Sequence, residues 1–128
     1  MDDSQRIESY KAYLDAFNQH SLSKTLAFLS PNCVGERDGK VLSKSRDEMV
    51  PNYLSHWERI KSPIELLDIR AIESGVWVKL RSPDEGYDAE VEYFYNEEGL
   101  QIKHAIKKVT KWKESGEASS KDDKETPE

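Results

Sequence analysis

From residue 64 onward the apolar residues of this 128-residue chain recur at every second position, whereas before it they recur at helical spacing. Four segments carry the alternation, at about 64–73, 76–82, 87–96 and 100–112. Between them, Glu73-Ser74-Gly75, Pro83-Asp84-Glu85-Gly86 and Asn96-Glu97-Glu98-Gly99 have the composition of hairpin turns. A period of two sends alternate side chains to opposite faces of a sheet, so this half of the chain predicts a meander of long antiparallel strands with one buried face. Ahead of it, Ile7, Tyr10, Leu14 and Phe17 form one stripe of a helix over residues 4–18, with Tyr13 beside the stripe. A second helix fits 22–29, capped by Ser21 and stopped at Ser30-Pro31, and an extended piece from Cys33 to Arg37 turns at Asp38-Gly39. A third helix fits 46–61: Ser45 and Glu48 make a capping box, and Met49, Tyr53, Trp57 and Ile60 its apolar stripe. Pro51 calls for a kink or a late start there. Helices first and a meander afterwards predict an α+β domain with helices on one face of the sheet.

Composition narrows the function classes. The length fits one domain, expected over residues 1–113. No apolar run nears the roughly 18 residues of a membrane span, and the start MDDSQRIESY is polar, so neither an anchor nor a signal peptide is expected. Cys33 is the single cysteine, which excludes an internal disulfide and favours a reducing, cytoplasmic setting. The net charge is −6, and residues 114–128 hold six acids and two lysines, net −4, leaving about −2 for the rest. A chain so acidic, with no basic face at helical spacing, is a poor partner for nucleic acid, because phosphate neutralisation supplies most such affinity. Residues 114–128 hold no aromatic or branched aliphatic side chain and are expected to be a disordered tail.

Strand parity sorts candidate chemistry from solvated charge. Val76, Val78 and Leu80, then Ala89, Val91, Tyr93 and Tyr95, then Ile102, His104 and Ile106 share the face expected beneath the helices. Lys79, Arg81, Asp88, Glu90, Glu92, Lys103 and Lys107 share the other. Glu90 and Glu92 resemble a catalytic carboxylate pair, but their parity and lysine neighbours make them rungs of an exposed charge ladder. His104 stands out as a titratable group among aliphatic and aromatic ones; at its ordinary pKa near 6.5 an imidazole suits general acid–base work. With three scattered histidines and one cysteine, no metal is expected.

The segments YLDAFNQHSLSKTLAFLSPNCV (13–34), SRDEMVPNYLSHW (45–57) and YFYNEEGLQIKHAIKKV (93–109), in this order of helices, strand, helix and meander, resemble the SnoaL-like polyketide cyclase and ketosteroid isomerase superfamily, of nuclear transport factor 2-like fold. The resemblance covers about residues 5–112. It implies a cone-shaped, curved antiparallel sheet packed against three N-terminal helices around a pocket for a small, mostly apolar ligand, and a homodimer through the outer sheet face. Carried over residue by residue, Tyr13 falls where ketosteroid isomerases hold their oxyanion-stabilising tyrosine. Their general base falls at Arg37, flanked by Glu36 and Asp38, and their second acid at Val91. One of three matches, so the resemblance does not extend to steroid isomerisation. His104 occupies a place comparable to the acid or base of SnoaL-like cyclases.

These readings give His104, Tyr13 and Glu36 as candidate catalytic residues. Tyr53, Trp57, Val91, Tyr93, Arg37 and Phe17 are the expected ligand-binding residues. Alternation allows only one of Glu36 and Arg37 to point inward. The expected function is binding of a small apolar or polyketide-like ligand and a cofactor-free isomerase, cyclase or dehydratase reaction by proton transfer. The alternative is a non-catalytic ligand-binding or protein-interaction domain of the same fold.

Overall fold

The computed structural model describes residues 1–112, and the expected tail of residues 114–128 lies outside them. Helix α1 spans Asp3–Asn18 and opens on a capping box. The Asp2 side chain accepts from the Gln5 amide and the Gln5 side chain from the Asp2 amide, each at 2.8 Å. Helix α2, Leu22–Leu26, is capped by Ser21 and is shorter than the sequence suggests, because strand β1 already begins at Leu29 and carries Ser30 and Pro31 within it. Strand β1 (Leu29–Arg37) turns through Asp38 and Gly39, both at positive φ, into strand β2 (Lys40–Ser43), a pairing that the sequence reading did not separate. Helix α3, Arg46–Arg59, starts at Ser45 and runs on through Pro51. Strands β3 (Glu65–Ile72), β4 (Gly75–Ser82), β5 (Tyr87–Tyr95) and β6 (Gln101–Lys111) follow within a residue or two of the predicted meander.

The six strands form one curved, unclosed sheet in the order β2-β1-β6-β5-β4-β3. All neighbours are antiparallel except β1 and β6, which run parallel, so the sheet is not wholly antiparallel. The chain reaches the far side of β6 before the meander is made, and α3 bridges the gap from β2 to β3. One face of the sheet, with α1 and α3 against it, holds the core of Tyr10, Tyr13, Leu14, Leu29, Cys33, Met49, Tyr53, Trp57, Val76, Val78, Val91, Tyr93 and Tyr95. The opposite face carries the expected charge ladder in shifted form: Lys79, Glu90 and Lys108 face one another, and Arg81 binds Asp88 through two bonds of 2.8 and 3.0 Å.

Two irregularities in the β5–β6 ladder produce that shift. Register slips between Glu90 and Val91 and between Phe94 and Tyr95 leave Lys107 and Ile102 without partners, each as the extra residue of a bulge. Ile102 is therefore thrown outward, at 38% exposure, and not into the core as parity alone predicts. Gln101 turns inward in its place and is fully buried.

The hairpin joining β3 to β4 is held by Arg6 of α1, whose guanidinium donates to the Gly75 and Ile72 carbonyls at 3.1 and 3.3 Å. A Cβ at Gly75 would stand 2.2 Å from the Tyr93 carbonyl oxygen, so backbone meets backbone there with no room for a side chain. Gly39, at φ +79°, faces open space. Denaturant titration of the two alanine variants should separate these constraints. Gly39→Ala costs about 1 kcal/mol for its left-handed backbone, while Gly75→Ala costs about 3 kcal/mol by overpacking. Equal losses would show that the close approach relaxes freely.

Candidate functional site

The site is built from one transverse row of the sheet and two helix stripes. Across the strands, Ala71, Val76, Tyr93, His104, Gly35 and Ser43 face one another in register and share the helix-covered face. His104 lies in the middle of this row, half-buried, with its ring 4.6 Å from Tyr93. Its other neighbour, Gly35, offers no side chain; Met49 fills that place, 3.3 Å from where a Cβ would stand. Helix α1 adds Tyr10, Tyr13 and Phe17, spaced to lie on one side of a helix, and α3 adds Met49, Tyr53 and Trp57 at steps of four. The Tyr13 ring sits 6.0 Å from His104 and 5.8 Å from Tyr93, so the helix and sheet contributions meet at the imidazole.

Hydrogen bonds inside this aromatic cluster are few and leave chemistry unspent. The Tyr13 and Tyr53 hydroxyls bond to each other at 2.9 Å. Each phenol has one proton, so one hydroxyl donates to the other and the accepting one keeps its own proton to give. The Trp57 indole N–H, in a residue 7% exposed, has no acceptor at all. A buried donor left unpaired costs about 1–3 kcal/mol, so it calls for an explanation beyond packing. His104 Nε2 lies 2.6 Å from Gln101 Oε1, and the Gln101 amide nitrogen donates to the Tyr95 hydroxyl at 3.4 Å. Burial raises the Tyr13 and Tyr53 hydroxyls well above the ordinary phenol range, so both are neutral donors at any physiological pH.

Burial also decides the state of His104. Nothing charged compensates the imidazolium in this setting, and desolvation pushes its pKa from 6.5 down to about 3. The imidazole is thus neutral at pH 7, in contrast to the near-neutral titration that the sequence suggests. His56, half-buried against Phe17 at 5.0 Å between ring centres, is shifted down by burial too, partly opposed by Glu85.

The structure brings most of the sequence-derived candidates together. Tyr13, Tyr53, Trp57, Val91 and Tyr93 are buried on the helix-covered face, and Phe17 and His104 are half-buried there. Glu36 is a correction. It faces Ala105 across the β1–β6 pairing and its carboxylate meets Lys103 at 3.4 Å on the outer face, so alternation takes it away from His104. Arg37 pairs with Ile106 and thus belongs to the inner row, at the end of β1 with 40% of its side chain exposed. Sequence reasoning missed Gln101. Its parity opposes that of His104, and only the bulge at Ile102 puts both on one face; no local signal in the sequence marks that bulge. Among the described residues, no group of three or more His, Cys, Asp or Glu is placed to hold a metal, and no helix is long and apolar enough to cross a membrane.

No protein-family model matches the sequence, and no curated protein matches it. Solved structures do. A SnoaL-like protein of unknown function from Burkholderia thailandensis is 12% identical, with 82% of this chain and 94% of that chain covered at a TM-score of 0.72. SalBIII, an epoxide hydrolase/cyclase-like enzyme in pyran ring formation in the polyether salinomycin, is 17% identical, with 87% and 98% covered at 0.72. A de novo designed protein with a curved β-sheet is 13% identical, with 84% and 87% covered at 0.69. The fold is therefore that of the SnoaL-like, nuclear transport factor 2-like proteins.

The depressed His104 pKa has a consequence for stability. Below pH 6.5 the unfolded chain binds a proton that the folded chain refuses until about pH 3. Stability must fall as pH drops through that window, by about 1.4 kcal/mol per unit at most. Urea midpoints of the wild type and His104→Leu, compared at pH 7 and pH 4.5, should show a smaller acid loss in the variant. Equal losses in both would mean that His104 titrates as an exposed histidine.

Proposed function

We propose that the chain is a SnoaL-like domain that binds a small, uncharged, largely apolar metabolite between the sheet and helices α1 and α3, and acts on it by proton transfer. The observation that carries this reading is the buried Trp57 N–H without an acceptor, beside a tyrosine pair with one proton to spare. A carbonyl oxygen of a ligand would satisfy both kinds of donor. His104, neutral and half-buried, supplies the complementary acceptor for a hydroxyl or an acidified C–H. Leu80, Ala89 and Ile106, inner-face residues that stay half-buried although helices overlie this face, offer apolar contact for the rest of such a molecule. An ionised ligand would be costly beside His104, where the inner rows of β4, β5 and β6 hold no countercharge and the inner-row Arg37 lies out at the half-exposed end of β1.

In this reading Tyr53 or Tyr13 polarises the carbonyl while His104 takes the proton, as an isomerase, cyclase or dehydratase requires. No cofactor is needed for such a shift of one proton. Binding without turnover is the second reading, favoured by the low basicity of His104: a base with a pKa of about 3 has little driving force at neutral pH. Two copies would pair through the outer sheet face, where a row such as Lys79, Glu90 and Lys108 meets opposite charges on an antiparallel copy displaced by one strand. The buried free thiol of Cys33 suits a reducing, cytoplasmic setting.

A thermal-shift panel of uncharged ketones and polyketide-like lactones should raise the melting temperature of the wild type. Trp57→Phe should weaken the best ligand by roughly tenfold, the loss of one buried hydrogen bond of about 1.4 kcal/mol. Incubating that ligand with the protein in D2O then separates the two readings. Deuterium appearing next to the carbonyl, and absent with His104→Leu, marks proton transfer; binding without exchange marks the second reading. No stabilising ligand among such carbonyl compounds would remove both. For the dimer, a monomer by light scattering at all concentrations and at low salt is the contrary result.

A further inference from the structure

We propose that Gln101 is a positioning residue that fixes His104 in the tautomer with its proton on Nε2, so that Nδ1 carries the lone pair offered to a ligand. The inference deepens the proposed function and rests on it for the use made of Nδ1, but the tautomer itself can be read without any ligand.

Two contacts define how the glutamine amide is oriented. Its side chain is fully buried, and its amide nitrogen is occupied in donating to the Tyr95 hydroxyl at 3.4 Å. The oxygen Oε1 faces His104 Nε2, at 2.6 Å. A carbonyl oxygen only accepts, so Nε2 must be the protonated nitrogen. A neutral imidazole has one N–H, so the remaining nitrogen, Nδ1, is the acceptor. The backbone holds the arrangement from below. The Gln101 amide donates to the Phe28 carbonyl at 2.8 Å, tying the start of β6 to the strand that follows α2. Gln101 and His104 are three residues apart and would lie on opposite faces of a regular strand. The bulged Ile102 between them is what allows the bond. A buried amide spent on orienting one imidazole matches the way a supporting residue sets which ring nitrogen is protonated elsewhere in proteins.

The test is a long-range proton–nitrogen NMR spectrum of the 15N-labelled full chain at pH 7, with the His104 signals identified by their loss in His104→Leu. The wild type should show His104 with a protonated Nε2 and an unprotonated Nδ1. A protonated Nδ1 overturns the proposal with no variant needed. In Gln101→Met, which keeps length but loses the acceptor, the pure pattern should give way to a mixture of tautomers. An unchanged pure pattern in a folded Gln101→Met overturns the proposal as well. In Gln101→Glu a carboxylate takes the place of Oε1, and the proton affinity of His104 should rise at least tenfold in an NMR pH titration; no rise would show that the side chain at 101 does not govern the ring. If the tautomer follows Gln101 while no carbonyl ligand binds, the functional reading fails and the positioning role stands.

Discussion

The ladder between β5 and β6 governs what this protein can do, because its two bulges decide which face every later residue of β6 serves. With a regular ladder, residues 102, 104 and 106 would share the interior and Gln101 would lie outside. The slip at Ile102 puts Gln101 and His104 on the same side, and the slip at Lys107 moves Lys108 opposite Glu90 and turns Val109 toward Ala89 on the inner side. The parallel partner β1 then inherits this alignment. Gly35 falls beside His104 and Glu36 beside Ala105, which sends the Glu36 carboxylate to the outer face. A bulge re-aims side chains in this way, and here it brings the amide of Gln101 and the imidazole of His104 to one face of the sheet.

That content is neutral throughout. Phenols, an amide, an indole and a deprotonated imidazole are packed among Val76, Val78 and Val91, and each charged group of the sheet is on the other face or at its ends. Desolvation enforces the neutrality on His104, since no carboxylate stands by to stabilise an imidazolium. The aromatic cluster also bears on the rim. His20 holds a left-handed backbone at φ 59°, a conformation that costs a residue with a side chain about 1–2 kcal/mol. Its ring stacks on Trp57 at 5.5 Å, and this contact offsets part of that cost.

The fold was legible in the sequence to the extent that it depends on periodicity. The change of period at residue 64, the turn clusters and the Ser21 and Ser45 caps place three helices and four strands close to where they lie. What periodicity cannot express is pairing. The hairpin of β1 and β2 rests on a four-residue strand, and the parallel contact of β1 with β6 joins segments about 70 residues apart. Tyr13, Tyr53, Trp57, Val91, Tyr93 and His104 were readable because their stripe or parity is locally correct. Gln101 was not, and Ile102 was misplaced, because a bulge is written in the partner strand and the turn as much as in β6. The shifted basicity of His104 was equally out of reach, as it depends on which groups surround the ring in space.

The structural likenesses bear on shape more than on chemistry. A designed curved sheet matches nearly as well as an enzyme of pyran ring formation, at 0.69 against 0.72, with identities of 13% and 17%. The cone is thus a scaffold that natural and designed sequences share, and function has to be argued from the groups it encloses. In this chain those groups are sparse and directional: a spare phenol proton, an indole N–H and a Tyr10 hydroxyl without partners, and one imidazole whose tautomer is held by a buried amide. A merely structural interior would be expected to satisfy its indole or replace it with phenylalanine, because an unpaired buried donor costs stability and returns none. Retaining it is reasonable where a ligand completes the bond, and the same ligand would meet the polarising hydroxyl and the accepting nitrogen within one aromatic enclosure.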